Sequence, residues 1–457
     1  MMNTKLLDKL KWIALGVLVL VLFATCLYDD LITTYTHSLH FLDCIFSGKF
    51  FGFYEYTLER EIFDLPADYY IIIYIIFGIW NFPIWILKQI FSIDSYSVMA
   101  LLWAKMILLP FIAGVFQVVY KMLDLLGEKD KEHTFFMMGS SLLFVLPICF
   151  IGQYDIISLF FVLWGILQCM KDERLSWKAI LLFAVAVPIK VLAIFPVMLI
   201  ILVQEKRIIE VVKKLLGTLV FLALCVLPYS GNTSFHIATQ NNGGWFAKLS
   251  NAVLSSGWNG ISIFWLTFFG LCIVAYKMEQ KNLKEYFKQI TWILTAFYSF
   301  FFIFVEAHPQ WSVLLVPFIA LLIREENRDF KLNLLLETIA GGALVISQAY
   351  YFHWVYFTDR TSWLLLKNIT EKASKYWIVS LRDIGMLEKI IPLVNAVFFA
   401  AVIGILVLNH PWKEKDKIEK TQEIYKDIFL TKMKIDWLRI LCIFGYIVVT
   451  FLITYVL

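Results

Sequence analysis

Apolar runs of roughly 18 or more residues recur along the whole chain, each long enough for an α-helix to cross the ~30 Å hydrocarbon core of a bilayer. WIALGVLVLVLFATCLY near the start is one of them. Of the 457 residues, 60% are hydrophobic and only 17% charged, and mean hydropathy is +0.75. That is more apolar surface than a water-soluble core of this size can hide. The expected fold is all-α: a polytopic integral membrane protein of about 11–13 transmembrane or re-entrant helices. The first run follows Lys5, Lys9 and Lys11 as a signal peptide would, but it lacks a clear small-residue cleavage site and ends in charged sequence, so a retained first helix is expected. Seven cysteines are scattered singly with no CxxC spacing, a pattern of neither metal site nor disulfide framework. No repeat and no low-complexity tract is present.

The net charge of +4 says less than its distribution. Lys and Arg collect in cytoplasmic loops. With the N-terminus inside, segments 1–11, 121–133, 171–178, 204–214, 277–288, 324–331 and 410–436 hold 27 of the 40 Lys and Arg. The opposite set, 29–68, 88–97, 229–257 and 358–386, holds 9 although it is longer. The expectation is a protein of the cytoplasmic membrane, N-terminus inside. Two parity problems follow. KDERLSWK and QEKRIIEVVKK both belong inside, yet 25 residues separate them, too few for two full crossings. Two short helices meeting at Pro188-Ile189-Lys190 solve this, because proline removes a backbone donor there. Between 69 and 120, two ordinary crossings would leave KMLDLLGEKDKEH outside; Asn81-Phe82-Pro83 and Pro110 are alternative sites for a further break.

In this topology four polar groups converge on the outer face: Asp29-Asp30, Gln153-Tyr154-Asp155, Lys190, and EAHPQW at 306–311. The outer loop 29–68 is rich in aromatic residues and suits short amphipathic helices lying over a site. Ionisable groups at membrane depth are costly and face cavities, which makes each a functional candidate. Each also has a plainer explanation. Asp29 and Asp30 fit a solvated helix end, and Gln153 and Asp155 fit a cap on the helix that follows. Lys190 fits a snorkelling lysine, although it has little polar company between LLFAVAVPI and VLAIFPVMLII. His308, Gln310 and Trp311 fit a turn at Pro309. Lys105, inside LLWAKMILLP, reads as snorkelling first and as a phosphate contact second. The absence of GxxxxGK[ST], GxGxxG and HExxH argues against an ATP-driven pump or a zinc membrane protease.

Four stretches in order, LYDDLITTYTHSLHFLDCIFSGKFFGFYE, GQYDIISLFFVLWG, AVPIKVLAIFPVMLII and AHPQWSVLLVPFIALL, resemble the layout of the polytopic GT-C glycosyltransferases that use polyprenyl-phosphate sugars. The resemblance spans about residues 12–323; the middle two stretches are similar to those of dolichyl-phosphate-dependent hexosyltransferases and bacterial mannosyltransferase-like proteins. It implies a GT-C-like catalytic module over 1–323, followed by C-terminal transmembrane helices with an outer loop at 358–386 over 324–457. It also implies an inverting hexosyltransferase whose donor is a polyprenyl-phosphate sugar and whose acceptor is a lipid-linked or cell-envelope glycan, with membrane lipids, and not nucleic acid, as its surroundings. The catalytic base falls by resemblance on Asp30 or Asp29. Where relatives show YPP before the second helix, this chain reads LPADYYIIIY. No cofactor is implied, and assistance by a divalent cation stays open.

The chemistry fits on its own terms. A glycosidase generally needs a second carboxyl group to protonate a poor leaving group. A polyprenyl phosphate leaves as a stable anion, so one carboxylate suffices as base, with positive charge and donors around the phosphate. Lys190, His308 and Gln310 are the candidates. Two other readings compete. A glycan or lipid-linked glycan transporter should show internal pseudo-symmetry and charges near the midplane. An O-antigen ligase or polymerase would use arginines of a late outer loop, here Arg360 and Arg382.

Overall fold

The computed structural model describes residues 4–455 apart from 63–64, 129, 255–259, 281, 325–328, 352–360, 364–384 and 413–421. It is an all-α polytopic membrane protein. Among the described residues six helices are long and apolar enough to cross a bilayer, or seven if one bent pair counts as a single span, and four shorter apolar helices of 10–17 residues accompany them. Water would not tolerate the surfaces they present. Along 208–229 the stripe Ile209, Leu216, Val220, Leu224 and Leu227 is more than half exposed, which is the face a helix shows to lipid.

Side-chain contacts sort the charged segments onto one end of the bundle. Lys11 on α1 (Thr4–Thr25) bridges Asp436 on α20 (Gln422–Tyr455) at 2.9 Å, Lys432 bridges Asp130 at 2.8 Å, and Arg324 bridges Glu128 at 2.8 Å. Gln280 donates to the Val203 carbonyl, Lys206 to that of Ala275, and Lys288 to that of Pro411. Segments 1–11, 121–133, Arg324 and 432–436 therefore share one neighbourhood; 203–206 meets 275–280, and 288 meets 411. All of these belong to or adjoin the segments that charge alone was expected to hold inside; the contacts join them in these groups.

Of the two expected breaks, one is present. α10 (Trp177–Ile189) runs through Pro188 and stops at Lys190, which is extended at φ −143°, ψ 105°; a 3₁₀ turn at Val191–Ala193 then leads into α11 (Ile194–Gln204). The break falls on Lys190 itself. Between 69 and 120 neither expected break is present: Pro83 lies inside an uninterrupted α4 (Ile71–Phe91), and α5 (Val98–Met106) joins α6 (Leu108–Leu125), with Pro110 in its first turn, through Ile107, whose dihedrals stay helical at φ −55°, ψ −27°, so that 98–125 is one apolar span. α4 packs beside α2 (Asp29–Phe46): Asn81 donates to Ser38, and Trp85 to Asp43. The turn after α4 comes back to α2, where Tyr35 donates to the Ser95 carbonyl and Thr36 meets Tyr96. Residues 29–97 thus start and finish beside the first turns of α2. α6 then carries the chain to the charged end, where Lys131 pairs with Asp124.

The C-terminal helices are built into the same body. α7 (Lys131–Gly139) and the helix over Leu142–Ile151 meet at a 60° bend. Ser140 and Ser141 sit at that bend, and Arg439 of α20 fills it. Its Nε donates to Ser140 Oγ at 3.0 Å, one terminal nitrogen to the Met137 carbonyl at 2.6 Å, and the guanidinium pairs with Glu337 on α18 (Phe330–Tyr351). At the other end, Thr361–Trp363 pairs antiparallel with Cys26–Tyr28, directly before Asp29. The remainder of the expected outer loop 358–386 up to residue 384, with Arg360 and Arg382, lies outside the described residues.

Candidate functional site

Each element that carries a candidate residue ends or breaks where that residue sits. α1 gives way to the short strand Cys26–Tyr28, and α2 starts with Asp29 and Asp30 in its first turn, where a helix dipole favours negative charge. Asp29 is buried and not a solvated helix end. The run before GQYD is a π-helical turn, Leu146–Ile151, that closes on Gly152 at φ +86°. Gly152 and Gln153 both donate to the Pro147 carbonyl. Only glycine takes this left-handed φ without strain, and a Cβ here would stand 3.3–3.5 Å from Leu31, Leu27 and Lys105. Tyr154 then precedes α9 (Asp155–Asp172), of which Asp155 is the first residue.

The capping explanation for Asp155 does not hold. No side-chain cap bond closes α9, and the carboxylate lies 3.0 Å from Lys190 Nζ instead. The contact is an ion pair whose alignment at Oδ2 falls short of a directed hydrogen bond. Lys190 is 8% exposed, so it does not snorkel; its ammonium also lies 4.2 Å from the centre of the Trp311 ring, a cation–π contact. The neighbouring residue in the same 3₁₀ turn (Pro309–Leu314), Gln310, donates its Nε2 to Asp30 Oδ2 at 2.9 Å. One turn therefore ties Asp30 to the Lys190–Asp155 pair, over 280 residues of sequence separation. Tyr154 meets Thr34, one turn after Asp30, at 2.8 Å. Gln153 is 1% exposed and neither of its amide atoms has a partner, and Gln310 Oε1 and Thr33 Oγ1 are likewise unpartnered. Buried polar atoms left so are rare in folded proteins and expensive.

Two candidates behave differently from expectation. Lys105 neither snorkels nor points a free ammonium at an anion: it is fully buried, donates to the Cys26 and Cys149 carbonyls, and lies 4.8 Å from the Phe23 ring centre. It ties the end of α1 to the π-turn, satisfying carbonyls that no helix hydrogen bond reaches. His308, 5.3 Å from Trp311 ring to ring, does not supply positive charge at neutral pH. Burial, and then Lys248 and Lys190, hold its pKa down at about 4. It acts as a neutral donor or acceptor.

Two site residues were not read from the sequence. Asp68 stands in the loop after Pro66, where an acidic residue looks like ordinary surface polarity; in the fold its charge acts on Asp30, Lys190, Tyr69 and Tyr154. Lys248, at the end of α14 (Thr233–Lys248), reaches Glu306 at 3.6 Å and faces His308. A lysine at a helix C-terminus gave no signal of this. Among the described residues no three His, Cys, Asp or Glu side chains converge as a metal-ligand group.

The fold and these contacts define a polytopic α-helical membrane protein with a polar, partly unsatisfied site at the end of the bundle opposite its charged cluster. No family model matches the chain, and neither does any curated protein or solved structure.

Proposed function

We propose that this protein is a membrane glycosyltransferase of GT-C type, moving a hexose from a polyprenyl-phosphate donor to a lipid-linked or cell-envelope glycan on the outer face of the membrane. One observation carries the reading: a carboxylate, Asp30, and a buried ammonium, Lys190, are coupled through adjacent residues of a single turn, Gln310 and Trp311. Transfer from a prenyl phosphate needs those two groups. Asp30 takes the proton of the acceptor hydroxyl as its oxygen bonds to C1 of the sugar. The bond from C1 to the phosphate oxygen breaks, and its electron pair leaves with the phosphate, whose charge Lys190 meets in a low-dielectric setting. In the resting protein Asp155 holds that ammonium, since an unpaired buried charge is costly. When the phosphate takes over, Asp155 and the unpartnered amide of Gln153 are free to accept and donate to sugar hydroxyls. The outer-face assignment rests on the Lys and Arg count and on the charged contacts at the other end.

Lys190→Met keeps the aliphatic stem and removes the charge, leaving Asp155 able to protonate. A charge-assisted contact of this kind is worth about 1.5–3 kcal/mol, or one to two orders of magnitude in rate. Transfer from radiolabelled polyprenyl-phosphate hexose, measured in membranes at matched protein level, should fall by that factor. A wild-type rate would remove the phosphate role from Lys190.

A further inference from the structure

Lys105 joins the two segments that present the carboxylates of the site. It donates to the carbonyl of Cys26, four residues before Asp30, and to that of Cys149, six residues before Asp155. Neither carbonyl lies in an α-helix. Cys26 opens the short strand after α1, and Cys149 stands in the π-turn, where the Gly152 and Gln153 amides both go to Pro147. The Lys105 side chain is fully buried, and a Cβ on Gly152 would stand 3.5 Å from its Cε. Its root on α5 is fixed as well. Two residues back, Trp103 and Trp80 of α4 donate their indole N–H groups to each other's carbonyls at 3.1 and 2.8 Å with the rings stacked, and Asn81, next to Trp80, donates to Ser38 of α2. The contacts close a ring. On one side the turn with Gln310 and Trp311 joins Asp30 to Lys190 and so to Asp155; on the other, Lys105 joins the chain just before Asp30 to the chain just before Asp155.

We propose that Lys105 is a positioning residue for sugar transfer: its ammonium fixes the spacing between Asp30, which takes the acceptor proton, and the Asp155–Lys190 pair, which receives the donor. The role rests on the transferase reading above and adds a residue that touches neither substrate nor the breaking bond. A lysine suits it, because three donors on one long stem reach two backbones that arrive from different elements. Hydrogen bonds from an ammonium are also stronger than neutral ones, and an apolar side chain here would take a donor from two buried carbonyls at once. Misplacing a reacting group by about 1 Å costs on the order of 10²-fold in rate. The Thr34–Tyr154 contact at 2.8 Å bridges the same two segments and limits how far they part. Loss of the ammonium should therefore cost about 10- to 100-fold, less than loss of the base itself.

The test uses the full-length protein in liposomes, with a short-chain prenyl-phosphate hexose as donor probe and a lipid-linked glycan as acceptor, and reads both kinetics and amide hydrogen exchange. Lys105→Met should raise exchange in 26–31 and 147–155 together, and lower kcat about 10- to 100-fold with the donor KM changed by less than about threefold. That loss should all but vanish in an Asp30→Asn background, where no base is left to position; a residue that only holds the fold would cost the same in both backgrounds. Lys105→Arg, which keeps donors for both carbonyls, should recover part of the kcat. If Lys105→Met does not fold, Gly152→Ala decides: it keeps the ammonium, sets a Cβ against its stem and against Leu27 and Leu31, and should lower kcat with the same dependence on Asp30. An unchanged kcat, equal losses in both backgrounds, or exchange that does not rise in the two segments overturns the positioning role while leaving the transferase reading intact. If wild type moves no sugar from the probe, the transferase reading falls and the positioning role with it, whatever the exchange shows.

Discussion

Asp30→Asn is expected to lower sugar transfer by about 10²–10⁴-fold without loss of folded protein, the usual effect of removing a positioned general base. The substitution keeps the shape of the side chain and an oxygen that can still accept from Gln310, so the turn that joins Asp30 to Lys190 should stay in place. Asp29→Asn is the paired control: Asp29 is buried in the same helical turn and shares its backbone setting. Transfer by detergent-solubilised protein at matched amount separates the two. A dead Asp29→Asn with an active Asp30→Asn moves the base by one residue. Two active variants would contradict a carboxylate base at this helix start.

The largest effect on stability is expected at the opposite end. Arg439 and Glu337 are a buried pair, with side chains 3% and 5% exposed, and Arg439 also reaches Ser140 and the Met137 carbonyl. Removing one member of such a pair strands the other in a medium that cannot solvate it, a loss of about 3–5 kcal/mol. Arg439→Met should therefore destabilise the protein strongly, seen as a lower unfolding temperature in detergent and faster proteolysis around α20. Arg439→Met combined with Glu337→Gln should recover part of the loss, because no buried charge remains. Equal stability of Arg439→Met and wild type would show that the pair does not hold α20 against α7 and α18.

The polar groups of the site were legible because each interrupts an apolar run, where polarity is expensive and must be matched. Lys190, Asp155, Gln310 and Asp30 stand out for that reason, and the fold brings them together. What each touches was less legible. Lys105 has the same sequence context as Lys190, yet it is consumed by two backbone carbonyls that exist only because α1 ends and the π-turn bulges beside it. Nothing in LLWAKMILLP announces those carbonyls. Asp68 was hidden for the opposite reason: it follows Pro66 in a polar loop, where an acid costs nothing to place, and that loop is held beside the site by His37, Tyr54, Thr57 and Tyr74. Composition led to the expectation that the charged loops share one side, and several of them do meet in the fold. The pairing of Glu337 with Arg439 did not follow from it, because Arg439 follows other charges of its helix, such as Lys432 and Asp436, that pair elsewhere, and Glu337 is 102 residues away. Helix number was the least legible quantity. Apolar length marks a candidate span, but α10 and α11 are 13 and 11 residues long, and it was Pro188-Ile189-Lys190, not the length of the joint apolar run, that marked where the chain turns.

The central claim is that the Asp30–Gln310–Trp311–Lys190 arrangement breaks the bond between a sugar and a prenyl phosphate. It is tested most directly by incubating the purified protein in liposomes with polyprenyl-phosphate hexose, radiolabelled in the sugar, together with a lipid-linked glycan acceptor. Free polyprenyl phosphate and labelled glycan are then counted. The account predicts one polyprenyl phosphate released for each sugar transferred, with both products depressed together in Asp30→Asn and Lys190→Met. Donor that crosses the bilayer with its sugar–phosphate bond intact, and with no labelled glycan formed, would contradict it and identify a transporter instead.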